Sequence, residues 1–345
     1  MNFTARVAGL AASLSLVACA TQPTAAEPAP VPAPAPAPVP EASVAPATST
    51  APAASAATPW PQVSRRLVDL QLITAIEHGR LDGVQAALTD GANPNALIEY
   101  DDEFVLPLVY TVGYAYDDAI VLALLAHGAD PNGRDLDGAT PLLALAGDGF
   151  AAQVEVLLEH GAALSQTGGM GETPLHAAAS DGNLQVLELL LAKGHPLDPV
   201  DHCAYTPFLE ACKAGSVEVI LALAARGADL HAVDYLDRTG LLLAGFGDPE
   251  VLDCLLQLGL DPDRRDSNGR SLVHCVEGAP SVAAAEACLA VLRAHGVDVS
   301  RRDADGNTCL DRLDAAQRAA ERKHADTLLR LRQLREVCEA ALADR

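Results

Sequence analysis

The clearest pattern of apolar and polar positions lies between Gly171 and Gly194, and it predicts two short helices. Thr173-Pro174 opens the first, since proline suits an initial turn where its missing N–H loses no partner. The Thr173 hydroxyl is expected to bond back to the His176 imidazole and tie off the turn. Ala177, Ala178 and Ala179 have almost no side chain and admit a close neighbour. Gly182 ends the helix in a conformation that only glycine adopts cheaply. The second helix carries Val186, Leu187, Leu189, Leu190 and Leu191 and stops at Gly194. A single pair of this kind leaves its apolar face uncovered, so it requires copies on either side.

The copies are present. Thr140, Thr173, Thr206 and Thr239 recur at a step of 33 residues, and Ser271 and Thr308 extend the series with small insertions or deletions. The glycine closing the second helix recurs in parallel at Gly91, Gly128, Gly161, Gly194, Gly227, Gly259 and Gly296. A turn such as Gly128-Ala-Asp-Pro-Asn132 usually follows it. In Thr173-Pro-Leu-His-Ala-Ala178 and Leu189-Leu-Leu191…Gly194 the chain resembles the ankyrin repeat family, over residues 64–312. The resemblance implies an all-α ankyrin repeat solenoid with β-turn fingers, a role in binding proteins, and no chemistry.

About seven units and a partial one are expected across residues 64–312. The first, with Arg65, Arg66, Asp69 and Gln71 on its opening helix, reads as a cap facing solvent. The second departs most, with Leu106-Pro107-Leu108 in place of Thr-Pro-Leu and Tyr110, Tyr114 and Tyr116 crowded together. The partial unit at Asp303 to Thr308 is expected not to turn. Residues 313–345 instead read as one long charged capping helix, with an apolar stripe of Leu328, Leu331, Leu334 and Val337 or Cys338. A coiled-coil dimerisation helix is the alternative.

The amino terminus has a different composition. Arg6 and the apolar run Val7 to Ala18 read as an export signal, too short to span a bilayer. Leu16-Val17-Ala18-Cys19 looks like a lipoprotein box, with residues 1–18 as the signal peptide and Cys19 carrying the lipid; ordinary secretory cleavage is the other reading. Ala20 in place of an aspartate points to an outer-membrane lipoprotein facing the periplasm of a Gram-negative cell. The Ala-Pro pairs of residues 19–63 favour extended polyproline II and read as a tether reaching on the order of 100 Å.

Charge and cysteine content narrow the function. The formal net charge of -23 argues against nucleic acid and broad contact with anionic lipid. Of the eight cysteines, Cys212, Cys254, Cys275 and Cys288 fall on core positions of the repeat, Cys309 stands at a helix start, and Cys203 lies in a turn. No phosphate loop, nucleophile elbow, metalloprotease helix or CxxC motif is present, so no catalytic residue, cofactor or small-molecule substrate is inferred. His127, His160 and His295 precede glycines that close second helices, where a cation suits the helix dipole. The alternative reading is a metal-binding or redox-active envelope protein using His202, Cys203, His231 and the unpaired cysteines.

The expected partner is a protein of the periplasm or envelope, with scaffold or inhibitor as the role. The family resemblance implies that first helices and finger tips line a concave binding face. Registering each unit on the fourth places Tyr110, Tyr114, Glu210, Lys213 and Phe246 on that face, and Tyr205 and Tyr235 on the fingers. Other units hold small residues at these places. For Tyr110 and Phe246 the competing reading is the filling of packing gaps. For Glu210, Lys213 and Tyr235, burial is disfavoured, because an unpaired polar group is costly to bury.

Overall fold

The computed structural model describes residues 63–343 apart from 65, 101–102, 115–116, 137 and 321–324. The expected signal, Cys19 and nearly all of the tether lie outside the described residues. The helices come in pairs along the chain: α1 (Leu67–Glu77) with α2 (Leu81–Thr89), α3 (Pro107–Tyr114) with α4 (Asp118–Ala126), and α5 (Pro141–Asp148) with α6 (Ala151–Glu159). Next come α7 (Pro174–Ser180) with α8 (Leu184–Ala192), α9 (Pro207–Ala214) with α10 (Val217–Ala225), and α11 (Gly240–Ala244) with α12 (Pro249–Gln257). In the seventh pair a 3-10 helix, Leu272–Gly278, takes the first place before α13 (Val282–Ala294).

The expected punctuation is met residue by residue. The hydroxyls of Thr140, Thr206 and Thr239 accept from the N–H groups of Leu143, Leu209 and Leu242. All seven glycines that close second helices have positive φ, between 73° and 93°, which a side chain at Cβ would strain. First helices pack on first helices, α5 on α7, α7 on α9 and α9 on α11, while α8, α10 and α12 form a second layer. Leu175, Leu187, Leu190, Phe208 and Leu223 lie in the continuous core between the layers. Gly240 replaces the proline of neighbouring units for a packing reason. A Cβ there would stand 2.7 Å from the Cys212 sulfur and 3.1 Å from the Phe208 ring.

The second unit elaborates its finger into strands. β2 (Leu97–Tyr100) and β3 (Glu103–Val105) pair antiparallel, and β1 (Val63–Ser64) adds to β2 in parallel, giving the order β1-β2-β3. The buried pair Ile98 and Val105 points into the core, whereas Phe104 of the next pair is exposed.

Two expectations about the ends are corrected. Asp69 does not face solvent: it is buried, accepts from the Ser64 hydroxyl at 2.5 Å and the Asn93 N–H at 2.8 Å, and so fastens α1 to the turn after α2. The terminal segment is two helices packed on each other rather than one. α14 (Cys309–Ala320) continues the first-helix layer against the 3-10 helix, and the long capping helix is α15 (Ala325–Ala343), packed on α13 and α14. The sequence between them, Glu321-Arg-Lys-His324, has no apolar residue to carry one stripe through. Leu331, Leu334, Cys338 and Ala341 are buried, so the stripe lies on α15 alone. Among the described residues, no helix is long and apolar enough to cross a membrane.

Candidate protein-binding face

The fingers between units are held by buried aspartates. Asp201 accepts from the N–H groups of Cys203 and Tyr205, Asp234 from those of Leu236 and Arg238, and Asp266 from those of Asn268 and Arg270. Asp303 does the same for Asp305 and Asn307. Each carboxylate closes a tight loop by satisfying donors that would otherwise lack partners. Adjacent fingers then join edge to edge, His202 N–H to Met170 carbonyl at 2.9 Å, Tyr235 to Cys203 at 3.3 Å and Ser267 to Leu236 at 2.9 Å. The exposed tips include Leu136, His202 and Tyr235.

Beneath the fingers, two capping boxes tie the fourth and seventh units to the segment that follows each. The Thr173 N–H donates to His176 Nδ1 at 3.1 Å, so the imidazole proton sits on Nε2 and is donated to the Tyr205 carbonyl at 3.0 Å. Ser271 and His274 repeat the arrangement, with Nε2 reaching the carbonyls of Arg301 and Asn307. Burial lowers the pKa of both histidines, which keeps them neutral donors. Along the second-helix layer, His127 and His160 each place Nδ1 2.8 Å from the carbonyl four residues earlier, so they close their helices directly.

Four of the expected binding residues are brought together. The Lys213 ammonium stands 5.0 Å from the centre of the Tyr205 ring and 3.4 Å from the Glu210 carboxylate. The Tyr205 hydroxyl accepts from Arg238 at 2.8 Å, and Arg238 pairs with Asp234 at 2.6 Å. Tyr235 lies next to that aspartate in the finger. Lys213 is part-exposed, Tyr235 is 36 % exposed, and the surrounding first-helix surface carries Asp181, Ala214 and Leu243.

The other expectations are corrected by burial. Glu210, only 4 % exposed, is a core residue rather than a surface contact, and its cost of burial is offset by Lys213 one turn on. Burial raises its carboxyl pKa, and Lys213 opposes that rise. Tyr205 is buried under Lys213 with its hydroxyl paired, so it supports the face from below. Tyr110 packs in the core of the irregular second unit. Phe246 folds inward after the five-residue α11, filling the space left by a shortened helix. Tyr114 ends α3, and its side chain lies outside the described residues. Glu210, Tyr205, Tyr110 and Phe246 are therefore not surface positions.

His202 and His231 are exposed and Cys203 is half-buried, but they do not assemble. Among the described residues no group of three or more His, Cys, Asp or Glu side chains is placed to hold a metal ion. Arg238 was not singled out by the sequence reading. Its signal is the spacing Asp234-x-x-x-Arg238, repeated at Asp266-x-x-x-Arg270, where the ion pair is 2.9 Å.

A family model described as ankyrin repeats (3 copies) matches residues 108–201 and 164–234. The matched stretch takes in α4 to α10 and most of α3, and contains Tyr205, Glu210 and Lys213. The described helices form an all-α solenoid whose matched stretch carries ankyrin repeats, and such repeats indicate a protein–protein interaction scaffold. No curated protein matches the chain.

Proposed function

We propose that the chain is an envelope-anchored scaffold: exported, lipidated at Cys19, held at the outer membrane facing the periplasm, and binding a partner protein through the concave face of its repeats. The observation that carries the binding reading is the group Lys213, Arg238 and Tyr235, presented on a buried platform of Tyr205, Glu210 and Asp234. Such a platform holds long side chains in fixed positions, which lowers the entropy lost on binding. Tyr235 adds an exposed aromatic ring of the kind that anchors interfaces. The anchor reading rests on Leu16 to Cys19, and the Ala-Pro tether supplies the reach that lets a folded module stand clear of a membrane. A scaffold of this type has no catalytic group to protect, and its acidic surface keeps it soluble. The test is whether a photo-crosslinking residue at position 235 captures a protein in living cells while one at position 221, on the second-helix layer, does not.

A further inference from the structure

Seven cysteines, Cys203, Cys212, Cys254, Cys275, Cys288, Cys309 and Cys338, are thiols rather than disulfides in this structure. Two of them belong to the terminal cap. Cys309 is the first residue of α14 and Cys338 lies towards the end of α15. The helices run antiparallel, tied by the Arg335–Asp314 ion pair at 2.5 Å. Moving about one turn back along α14 and one turn on along α15, the same way in space for antiparallel helices, arrives at Cys309 and Cys338.

The antiparallel register set by that pair places the two side chains on facing stretches of α14 and α15. Cys309 and Cys338 lie where α14 and α15 pack together, and the Cys309 thiol points to the Val299 carbonyl oxygen at 3.8 Å. Both side chains are buried, at 2 % and 1 % exposure.

We propose that Cys309 and Cys338 are a redox pair that closes to an intramolecular disulfide and staples α15 to α14. The neighbouring Cys338 side chain, helped by the first N–H groups of α14, lowers the pKa of Cys309 and makes it the attacking thiol. The oxidant is a disulfide, either a small molecule such as oxidised glutathione or the disulfide of a dithiol oxidase. The Cys309 thiolate attacks one sulfur of that disulfide, forms a mixed disulfide and expels one thiolate, which takes up the proton of Cys338. The Cys338 thiolate then attacks the Cys309 sulfur and expels the second thiolate, which is protonated by solvent. The two cysteines lose two electrons and the disulfide is reduced to two thiols. Access comes through α15, whose outward face carries the exposed Arg332, Gln333, Glu336 and Glu339. Lifting it uncovers both sulfurs, and redocking brings them together for the second step. The inference stands without the proposed export, since any compartment or tube holding such an oxidant suffices.

The test is a peptide map of the full chain, reduced, freed of reductant, incubated with oxidised glutathione and alkylated. The expected result is one major cross-linked peptide pair joining Cys309 to Cys338, with the thermal midpoint raised by roughly 5 °C over the reduced protein. Cys309→Ala is expected to lose both the peptide pair and the shift. If that variant folds poorly, the wild-type map decides by itself. Both thiols still alkylated after incubation at a temperature where α15 opens, or a glutathione adduct persisting on either one, would overturn the proposal.

Discussion

Arg238 reaches back across one repeat and donates to the hydroxyl of Tyr205 at 2.8 Å, while the same guanidinium holds the Asp234 carboxylate at 2.6 Å. The contact joins the base of one finger to the base of the next. It also fixes Tyr205 under Lys213, so finger geometry and the surface of α9 depend on one buried carboxylate.

Replacing that carboxylate is therefore costly. Asp234→Ala strands two backbone N–H groups and leaves the Arg238 charge with only the Tyr205 hydroxyl beside it. The expected loss is about 2–3 kcal/mol, since Arg238 keeps some solvent. Asp237→Asn on the exposed side of the same loop, where φ is 58° and asparagine is tolerated, should cost less than ~0.5 kcal/mol. Urea unfolding of the two variants checks the difference.

The period of the chain made the stack legible. Threonine at helix starts and glycine at second-helix ends are local requirements, and local requirements show in sequence. Burial of Glu210 did not show, because its acceptability depends on Lys213 lying one turn on and on how deeply the adjacent helices enclose it. Tyr205 and Phe246 misled for the same reason: register gives a place on a helix, whereas enclosure is set by the neighbouring units. Asp69 has a polar identity that suggests solvent, yet its partners Ser64 and Asn93 come from outside its helix. The division into α14 and α15 escaped because a charged stretch without an apolar position reads equally as an exposed helix face.

Acid should weaken the fold. Burial lowers the pKa of His176, His195 and His274 below the ordinary 6.5. Below about pH 6.5 the unfolded chain then binds more protons than the folded one, so stability is full above that value and declines as pH falls towards the folded pKa values. Glu210, raised by burial, acts in the opposite direction at lower pH. A net loss on the order of 2 kcal/mol between pH 7.5 and 5.5 is expected from denaturant midpoints. Equal midpoints would refute the neutral-histidine assignment.

Removing the cap should expose the core. Leu331 and Leu334 are buried against the last units, and uncovering two leucines is worth about 4 kcal/mol. A chain ending at residue 324 is expected to melt earlier and to aggregate in light scattering. A truncated chain as stable and monomeric as the full one would mean that α15 does not cover the stack.

The anchor is tested separately from the fold. Cys19→Ser is expected to move the protein from the membrane fraction to the soluble periplasmic fraction, and labelled fatty acid should enter the wild type alone. Membrane retention of the variant, with no label in the wild type, would contradict lipidation at Cys19.

The most direct measurement of the binding face is site-specific photo-crosslinking in cells. Tyr235 on the finger is 36 % exposed and Leu221 on the second-helix layer is 48 % exposed, so access does not favour the first. The account predicts a discrete protein adduct from position 235, none from position 221, and loss of the adduct when Lys213→Ala is added. Equal adducts from both positions, or an adduct from position 221 alone, would contradict it.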